Sequence, residues 1–370
     1  MKFVTLFTRL KNVHLLKDVG MIPYMLMRDY GYDCTMVSMK NEREYPYLDN
    51  EVKGLKLRFL SGEGESSLVA GMKYVWNNAA GIDVLNVYHL NLSSFLFLLI
   101  YKIRKKKGGR GYLKLDMDLK GYKRLFMFNP VGFIKRRTMD LSDIISVETT
   151  MLYERLKKKY GNKVIYIPNG FYATGSEPER NFEKENMILT VGNLGTYAKA
   201  TDVLLKASAG VAGNNDWVLT LVGPVEASFK KYIIEFLSKH EDLRERIIFT
   251  GEIRDKEKLS RYYKRAKIFV LPSRSESFGI VLLEAASNGD FLVTTTGVPA
   301  GRDIYNDGKY GFVVPPDDPV MLSDAFIRLM NSKADWSSRA KEIADYAWHD
   351  FRWEPIVSRL YEVLSQGDVH

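Results

Sequence analysis

Two glutamates, Glu276 and Glu284, flank a junction in the sequence that could bind a ligand. The apolar run 268–271 leads into a polar loop, and a helical stretch opens at Gly279. The first N–H groups of a helix have no partners within it and carry the positive end of its dipole, so they attract anions, and Gly279 lets a ligand approach because it has no Cβ. The two carboxylates suit sugar hydroxyls better than phosphate, since like charges repel. A helix cap and a solvent-facing glutamate would explain either residue alone, but not the whole string 271–289.

The chain around this junction alternates short β-rich apolar runs with longer helical stretches, which is typical of parallel α/β folds. The polar segment 173–186 has no apolar period and is predicted to be a linker. It separates a first domain, 1–172, from a second domain, 187–347, and the remaining segment, 348–370, is mostly one predicted helix. The predicted strands are 3–7, 34–38, 55–59, 84–88, 112–115, 144–146 and 164–167 before the linker, and 187–191, 217–222, 247–249, 268–271, 291–295 and 311–314 after it. The predicted helices after the linker are 201–209, 229–239, 256–266, 279–288, 320–331 and 348–366.

Composition indicates a globular protein of two domains that stays in a reducing compartment. Of 370 residues, 46% are hydrophobic and 27% are charged, and the single cysteine, Cys34, excludes an intramolecular disulfide. The N-terminal apolar stretch is too short for a signal peptide. The most apolar run, 95–101, is far short of the roughly 20 residues that a spanning helix needs. A cytoplasmic location is therefore expected.

Charge is divided unevenly between the two halves of the chain. Residues 1–176 hold 29 Lys and Arg against 16 Asp and Glu, a net charge of +13, whereas the remainder has a net charge of −4. A solvated surface explains any single basic cluster, but the half as a whole favours an anionic partner such as a membrane surface. Nucleic acid is not expected, because the basic residues form no aromatic stacking motif and no helix–turn–helix or RNA-binding signature appears. A dinucleotide-dependent oxidoreductase is disfavoured, since no G-x-G-x-x-G follows a predicted strand.

The string around Glu276 and Glu284 resembles the E-x7-E signature of glycosyltransferase family 4, which are retaining enzymes with the GT-B fold. Further pieces of the second half match the family in order, and the stretch 167–170 fits it in the first half. Together the pieces are specific, although none of them is specific alone. The matching pieces of the second half are 191–194, 199–207, 221–224, 248–251, 310–314 and 351–354.

The resemblance implies an α/β fold of the GT-B type, in which two Rossmann-like domains face each other across a cleft and the C-terminal helix, 348–370, crosses back to the first domain. It implies that Lys199 binds the donor diphosphate, that Glu276 contacts the donor sugar and that Glu284 accepts from the ribose hydroxyls. It further implies a set of donor-binding residues built from glycine turns and backbone N–H groups. These are Gly192, Asn193, Gly223, Pro224, Ser277, Phe278, Gly279, Ile280 and Val281.

Several positions depart from the family's pattern. Asn193 stands where the family usually has an arginine, so Lys199 needs a different helper. Asp116 and Asp118 stand where a histidine is common, and they are candidates for contacting the sugar or the acceptor; capping of the next helix explains them equally well. A D-x-D pair can also bind manganese in the other glycosyltransferase fold, but no metal is expected here. Gly20 replaces the family's N-terminal double glycine as the candidate for donor approach, and His89 is the candidate on the acceptor side.

The sequence therefore predicts a retaining glycosyltransferase that uses a UDP- or GDP-sugar as co-substrate and requires no other cofactor. The acceptor is expected to be a glycan or a lipid-linked glycan, in surface polysaccharide or glycolipid synthesis at the inner face of the plasma membrane. Two alternatives stay open: a catalytically inactive GT-B protein that binds sugar, and a basic protein that binds anionic lipid or nucleic acid.

Overall fold

The computed structural model describes residues 1–60, 65–117, 119–171, 182–211, 216–333 and 335–366. The chain divides into two compact units. The first combines Met1–Tyr172 with Phe351–His370, and the second is Ala173–Asp350. Each unit is a parallel sheet with helices on its faces, so the predicted α/β class is confirmed.

The sheet of the first unit has seven parallel strands in the order β3-β2-β1-β4-β5-β6-β7. Its central strands are buried on both faces, as parallel strands between two helical layers must be. The strands are β1 (Lys2–Leu6), β2 (Asp33–Ser38), β3 (Lys56–Phe59), β4 (Val84–Tyr88), β5 (Arg110–Leu115), β6 (Ile144–Val147) and β7 (Val164–Tyr166). The helices are α1 (Asp18–Tyr30), α2 (Pro46–Asn50), α3 (Ser67–Asn78), α4 (Leu92–Arg104), α5 (Leu119–Leu125), α6 (Pro130–Leu141) and α7 (Thr150–Tyr160).

The sheet of the second unit has six parallel strands in the order β10-β9-β8-β11-β12-β13. Each crossover between neighbouring strands carries helical structure, which gives the Rossmann-like arrangement. The strands are β8 (Glu185–Val191), β9 (Val218–Val222), β10 (Ile247–Gly251), β11 (Ala266–Leu271), β12 (Phe291–Thr295) and β13 (Gly311–Val314). The helices are α8 (Thr201–Ala209), α9 (Lys230–Lys239), α10 (Lys256–Arg265), α11 (Ile280–Ser287), α12 (Gly301–Ile304), α13 (Pro319–Met330) and α14 (Trp336–Asp350).

The prediction of one final helix over 348–366 is wrong. Two helices occupy this region, α14 and α15 (Trp353–Ser365), with an extended break at Phe351 and Arg352. Pro355 explains the break, because proline has no N–H to donate to the carbonyl of Phe351 and its ring would clash with that carbonyl in a continuous helix. The freed Phe351 carbonyl accepts from the Phe171 N–H at 3.1 Å instead.

Helix α15 belongs to the first unit and completes its core. Its apolar face packs with α1, and the rings of Tyr30 and Tyr361 stack with centroids 4.0 Å apart. Ile356 and Leu360 are fully buried there. Trp348, which was predicted to start the final helix, lies instead in the second unit, where its Nε1 donates to the Ser287 carbonyl at 3.0 Å.

The predicted linker 173–186 is only partly within the described residues, and its described end is packed rather than free. Phe182 is buried against Ala340 and Ala344. The side chain of Lys184 is buried and forms an ion pair with Asp290 at 2.5 Å. A lysine is buried in this way only when its charge is paired, and a polar composition alone gave no sign of that partner.

Candidate functional site

The two sheets share a topological feature that marks where a ligand can bind. The strand order reverses direction between β1 and β4 in the first unit and between β8 and β11 in the second. In open α/β sheets, ligands bind beyond the carboxyl ends of the strands at such a switch point. In the second unit the chain leaves β8 at Gly192 and leaves β11 at Pro272, so the predicted donor residues near both positions lie at the switch point.

Lys199 and Glu276 form the centre of this switch-point site. The Nζ atom of Lys199 pairs with Oε1 of Glu276, and Ser273 Oγ donates to the same oxygen at 3.0 Å. Both side chains are partly exposed, at 24% and 18%. Gly192 lies beside the lysine, since a Cβ added there would be 3.4 Å from Lys199 Cε and 3.8 Å from Nζ. Among the described residues, the second oxygen of Glu276 accepts no hydrogen bond, which leaves it open to a ligand.

The loop that carries Glu276 is held in place by hydrogen bonds from both sides. The Glu276 N–H donates to the Gly297 carbonyl at 3.0 Å, and the Arg274 N–H donates to the Ala198 carbonyl at 2.8 Å. The Arg274 guanidinium binds Asp202 at 2.8 Å and stacks over the Tyr197 ring at 4.6 Å. It also binds a carboxylate oxygen of residue 317 and the backbone of residue 197. The carboxylate is therefore preorganised, and Arg274 is committed to structural contacts rather than replacing the arginine that is missing at position 193.

The start of α11 offers a group of backbone donors next to this loop. Gly279 is the N-cap residue in the left-handed conformation, with φ +85° and ψ +61°, and no side chain caps the helix. Within the part of the chain that the structure describes, the N–H groups of Phe278, Gly279, Ile280 and Val281 donate to no acceptor. Such a set of free donors at a helix N-terminus binds anions.

Glu284 lies one turn into α11 and is oriented by a residue that the sequence analysis missed. The Tyr263 hydroxyl donates to Glu284 Oε2 at 2.8 Å. Burial, with the nearby Glu284 carboxylate, raises the pKa of Tyr263 well above its usual value, so the tyrosine remains a neutral donor. No motif marked Tyr263, because the contact joins α10 to α11 across the fold.

Two glycine turns meet behind Lys199. Gly223 has φ +139°, and a Cβ there would lie only 1.9 Å from the Gly192 carbonyl oxygen. Its N–H donates to the Gly251 carbonyl at 2.9 Å. Exposed Pro224 accepts from the Leu194 N–H at 2.9 Å. The turns at Gly192 and Gly223 are therefore too close together for a side chain between them, and only glycine fits at position 223.

The remaining predicted donor residues have simple positions. Asn193 is exposed, and its carbonyl accepts from Thr196 Oγ1 at 3.1 Å. Ser277 is half-buried in the loop before α11. The structure brings both residues to the switch-point site but gives neither a contact with Lys199 or Glu276 among the described residues.

The predicted residues of the first unit are only partly described. Asp116 is exposed just after β5, and Asp118 lies outside the described residues. His89 is exposed after β4 with φ +63°, and its ring lies 6.0 Å from that of Phe7, which follows β1. His89 therefore lies at the switch point of the first sheet. Gly20 is explained by packing, because a Cβ there would lie 2.3 Å from the Leu15 carbonyl oxygen within the same unit.

A buried polar cluster beneath this switch point was not predicted. Lys114 is fully buried, with its Nζ 2.9 Å from Glu148 and 3.8 Å from Asp18. Burial opposes the charge of Lys114, but the two carboxylates outweigh it and raise its pKa. Burial raises the pKa of Glu148, and the neighbouring Lys114 ammonium opposes that shift. Asn169 Nδ2 donates to the same Glu148 oxygen at 2.9 Å, so the cluster ties β5, β6 and the end of the first chain segment together.

The described residues form neither a metal site nor a membrane span. Within the described ranges, no group of three or more His, Cys, Asp or Glu side chains is arranged to hold a metal ion. No helix built from the described residues is both long enough and apolar enough to cross a bilayer.

Comparison with known proteins supports the fold. An Anabaena protein crystallised in complex with UDP has a TM-score of 0.72 and 15% identity, covering 99% of this chain and 100% of that one. At this identity the likeness shows the fold alone, and the predicted GT-B fold is confirmed.

Curated relatives match a shorter part of the sequence. An uncharacterized glycosyltransferase of Methanocaldococcus jannaschii is 28% identical over 50% of this chain and 46% of its own length. A phosphatidyl-myo-inositol mannosyltransferase of Mycobacterium leprae is 28% identical over 55% of each chain. The chain thus spans about half the length of the curated relatives it matches. Residues 174–347, which hold Lys199, Glu276 and Glu284, match the family described as glycosyl transferases group 1.

Proposed function

We propose that this protein transfers a sugar from a nucleotide-diphosphate sugar to a glycan or lipid-linked acceptor, with retention of the anomeric configuration. The observation that carries the proposal is the Lys199–Glu276 pair, which lies at the switch point of the second sheet beside the free N–H groups that open α11. We also assign Glu276 and Glu284 to the E-x7-E pattern of family 4, whose members retain configuration.

The chemistry required is stabilisation of a departing nucleoside diphosphate. As the bond from the anomeric carbon to the phosphate oxygen breaks, its electron pair stays on the diphosphate, where negative charge grows. The acceptor oxygen forms the new bond to the anomeric carbon from the same face, and its proton passes to the departing diphosphate. The Lys199 ammonium has three donors, so it can bind a phosphate oxygen while it keeps Glu276. The N–H groups from Phe278 to Val281 supply fixed dipoles for the same charge. Donors that are already in place cost no reorganisation when the bond breaks.

The two carboxylates have different tasks in this proposal. Glu276 presents an oxygen free of described hydrogen bonds to the hydroxyls of the donor sugar. Glu284, fixed by Tyr263, accepts from the ribose hydroxyls. Hydroxyls are the right partners for both, because carboxylates accept hydrogen bonds and would repel phosphate. The glycine turns at Gly192 and Gly223 bring backbone close to the nucleotide.

The class of acceptor is inferred from charge and from the relatives. The Mycobacterium leprae relative is by its name a mannosyltransferase acting on phosphatidyl-myo-inositol. The first half of the present chain carries a net charge of +13, which favours acceptors held at an anionic membrane surface. We therefore propose a lipid-linked or membrane-proximal acceptor, with the enzyme bound peripherally, and His89 and Asp116 on the acceptor side. A UDP- or GDP-sugar is the proposed donor.

Calorimetry and thermal-shift measurements with UDP-, GDP-, ADP- and dTDP-sugars test the donor site. One nucleotide class should bind the wild type, and Lys199→Ala should weaken it about 10- to 100-fold, the value of a charge-assisted hydrogen bond. Glu284→Ala should weaken binding of the free nucleoside diphosphate as well, since it contacts the ribose. Lys206→Ala is the matched control, because Lys206 is exposed on α8, the helix that follows Lys199, and lies outside the site.

Two results would contradict the proposal in different ways. If folded wild type binds none of the nucleotides, or if Lys199→Ala binds as tightly as Lys206→Ala, the donor site is wrong. If transfer occurs but nuclear magnetic resonance shows that the product has the inverted anomeric configuration, the site stands and the retaining mechanism is wrong.

A further inference from the structure

Four large apolar side chains are exposed together at the turn between α5 and α6. Phe128 is fully exposed, and Val131, Phe133 and Met127 are exposed by 61%, 52% and 48%. Single exposed apolar residues are common on protein surfaces, whereas a cluster marks an interaction site. We call these four residues the Phe128 patch.

The Phe128 patch is held in a defined conformation. The Asn129 side chain caps α6 by accepting from the Gly132 N–H at 2.7 Å. A Cβ on Gly132 would lie 2.1 Å from the Met127 carbonyl oxygen, so the turn and the helix are in close contact. Arg136 Nη1 donates to the carbonyls of residues 125 and 127, at 3.0 Å each. The patch is therefore presented to solvent by a turn whose backbone groups are bonded.

Positive charge surrounds the Phe128 patch. The sequence 119–139 contains six Lys and Arg and no Asp or Glu. Lys123 and Arg124 are exposed, the Arg137 guanidinium lies 5.2 Å from the Phe133 ring, and Lys159 of α7 lies 4.4 Å from the Phe126 ring. Exposed aromatic rings interleaved with cations match the boundary of an anionic bilayer, where acyl chains lie beneath phosphate groups.

The position of the patch in the first unit connects it with the acceptor side. Helix α6 ends at Leu141, just before β6 begins at Ile144, so its last turn lies at the amino ends of the strands. The 12 residues of α6 span about 18 Å. The first turn of α6, which holds part of the Phe128 patch, therefore lies toward the carboxyl ends of the strands. His89 and Asp116 follow strands at those carboxyl ends.

We propose that the Phe128 patch inserts into the headgroup region of an anionic phospholipid bilayer, with the surrounding Lys and Arg side chains on the lipid phosphates. The proposal deepens the membrane part of the proposed function and rests on it for its purpose, which is to bring the carboxyl-end edge of the first sheet to a lipid-linked acceptor. An acidic protein partner could use the same charges and the same phenylalanine, so binding to vesicles in the absence of any other protein is the result that identifies the bilayer as the occupant.

Sedimentation of the 370-residue protein with vesicles tests this surface. Wild type should bind vesicles made of equal parts phosphatidylcholine and phosphatidylglycerol, and should bind pure phosphatidylcholine or high-salt samples much more weakly. Phe128→Ser should weaken binding about tenfold, through lost apolar burial. The double variant Lys123→Gln, Arg124→Gln should weaken it about 25-fold, at about fivefold per charge. Ile234→Ser is the matched control, since Ile234 is 70% exposed in the second unit and should leave binding unchanged.

The proposal is overturned if wild type does not sediment with anionic vesicles, or if Phe128→Ser binds them as tightly as Ile234→Ser. It is also overturned if Phe128→Ser changes a dimer into a monomer while vesicle binding stays the same, because the patch would then contact a second copy. Nucleotide affinity, measured on the same preparations without vesicles, separates this proposal from the enzymatic one. Loss of vesicle binding alone removes the docking surface, and loss of nucleotide binding alone removes the donor site.

Discussion

Substitution of Gly223 by alanine should destabilise the second unit much more than substitution of Gly251, although both glycines have positive φ. At Gly251, with φ +75°, an added Cβ meets nothing within 4 Å. Alanine there should lower the free energy of unfolding only by the cost of its left-handed backbone conformation, about 1 kcal/mol. At Gly223, with φ +139°, the backbone conformation alone costs about 3 kcal/mol for alanine. The new Cβ would also lie 1.9 Å from the Gly192 carbonyl oxygen, so one of the two turns must move by about 1 Å, which adds about 1 kcal/mol or more.

Chemical and thermal unfolding of the two variants provides the assay. The melting temperature should fall by about 10 °C or more for Gly223→Ala and by about 3 °C for Gly251→Ala, at about 2–4 °C for each kcal/mol in a domain of this size. Because Lys199 lies against Gly192, nucleotide affinity should also fall in Gly223→Ala and stay near wild type in Gly251→Ala. Equal unfolding midpoints for the two variants would refute the close packing of the two glycine turns.

Three further predictions concern single side chains. Tyr263→Phe should weaken nucleotide binding about fivefold, the value of one hydrogen bond to the glutamate on α11, and an unchanged affinity relative to Tyr262→Phe would argue against that orienting role. Lys184→Met should lower the free energy of unfolding by about 3–5 kcal/mol, because it leaves a buried carboxylate unpaired. Arg265→Met removes an exposed ion pair and should lower it by less than about 1 kcal/mol. Similar denaturation midpoints for the two variants would contradict this prediction. Cys34 is buried, and burial raises the pKa of its thiol to about 12, so native protein at neutral pH should resist iodoacetamide and react only on unfolding; labelling of native protein at the rate of a free cysteine would show that the first unit opens readily.

The sequence predicted the strands well because parallel strands buried on both faces are short, apolar and separated by clear polar breaks. It also indicated the junction at Glu276 and Gly279, where the loop and the helix start follow from local residue types. The assigned roles of these residues stay predictions. Pro355 is a signal in the sequence that the prediction of one final helix overlooked, because a proline at that position prevents a continuous helix through Phe351.

Other features could not be predicted because their cause is a partner far along the chain. In the sequence Lys114 resembles any surface lysine. Its partner Glu148, which directly follows β6, lies 2.9 Å from it only in the folded structure. Phe182 stands in a polar segment, and only the packing of α14 shows why it is buried. Tyr263 acquires its task from α11. In each case a long-range contact overrides the local composition.

The return of the chain to the first unit at Phe351 has a consequence for biosynthesis. The apolar face of α1 is translated early, but the residues of α15 that cover it, such as Ile356 and Leu360, are translated only after the whole second unit. The second unit, being one continuous segment, can fold while the first still lacks part of its core. The first unit can therefore complete its core only after the second unit has been synthesised, and the apolar face of α1 stays uncovered until α15 emerges.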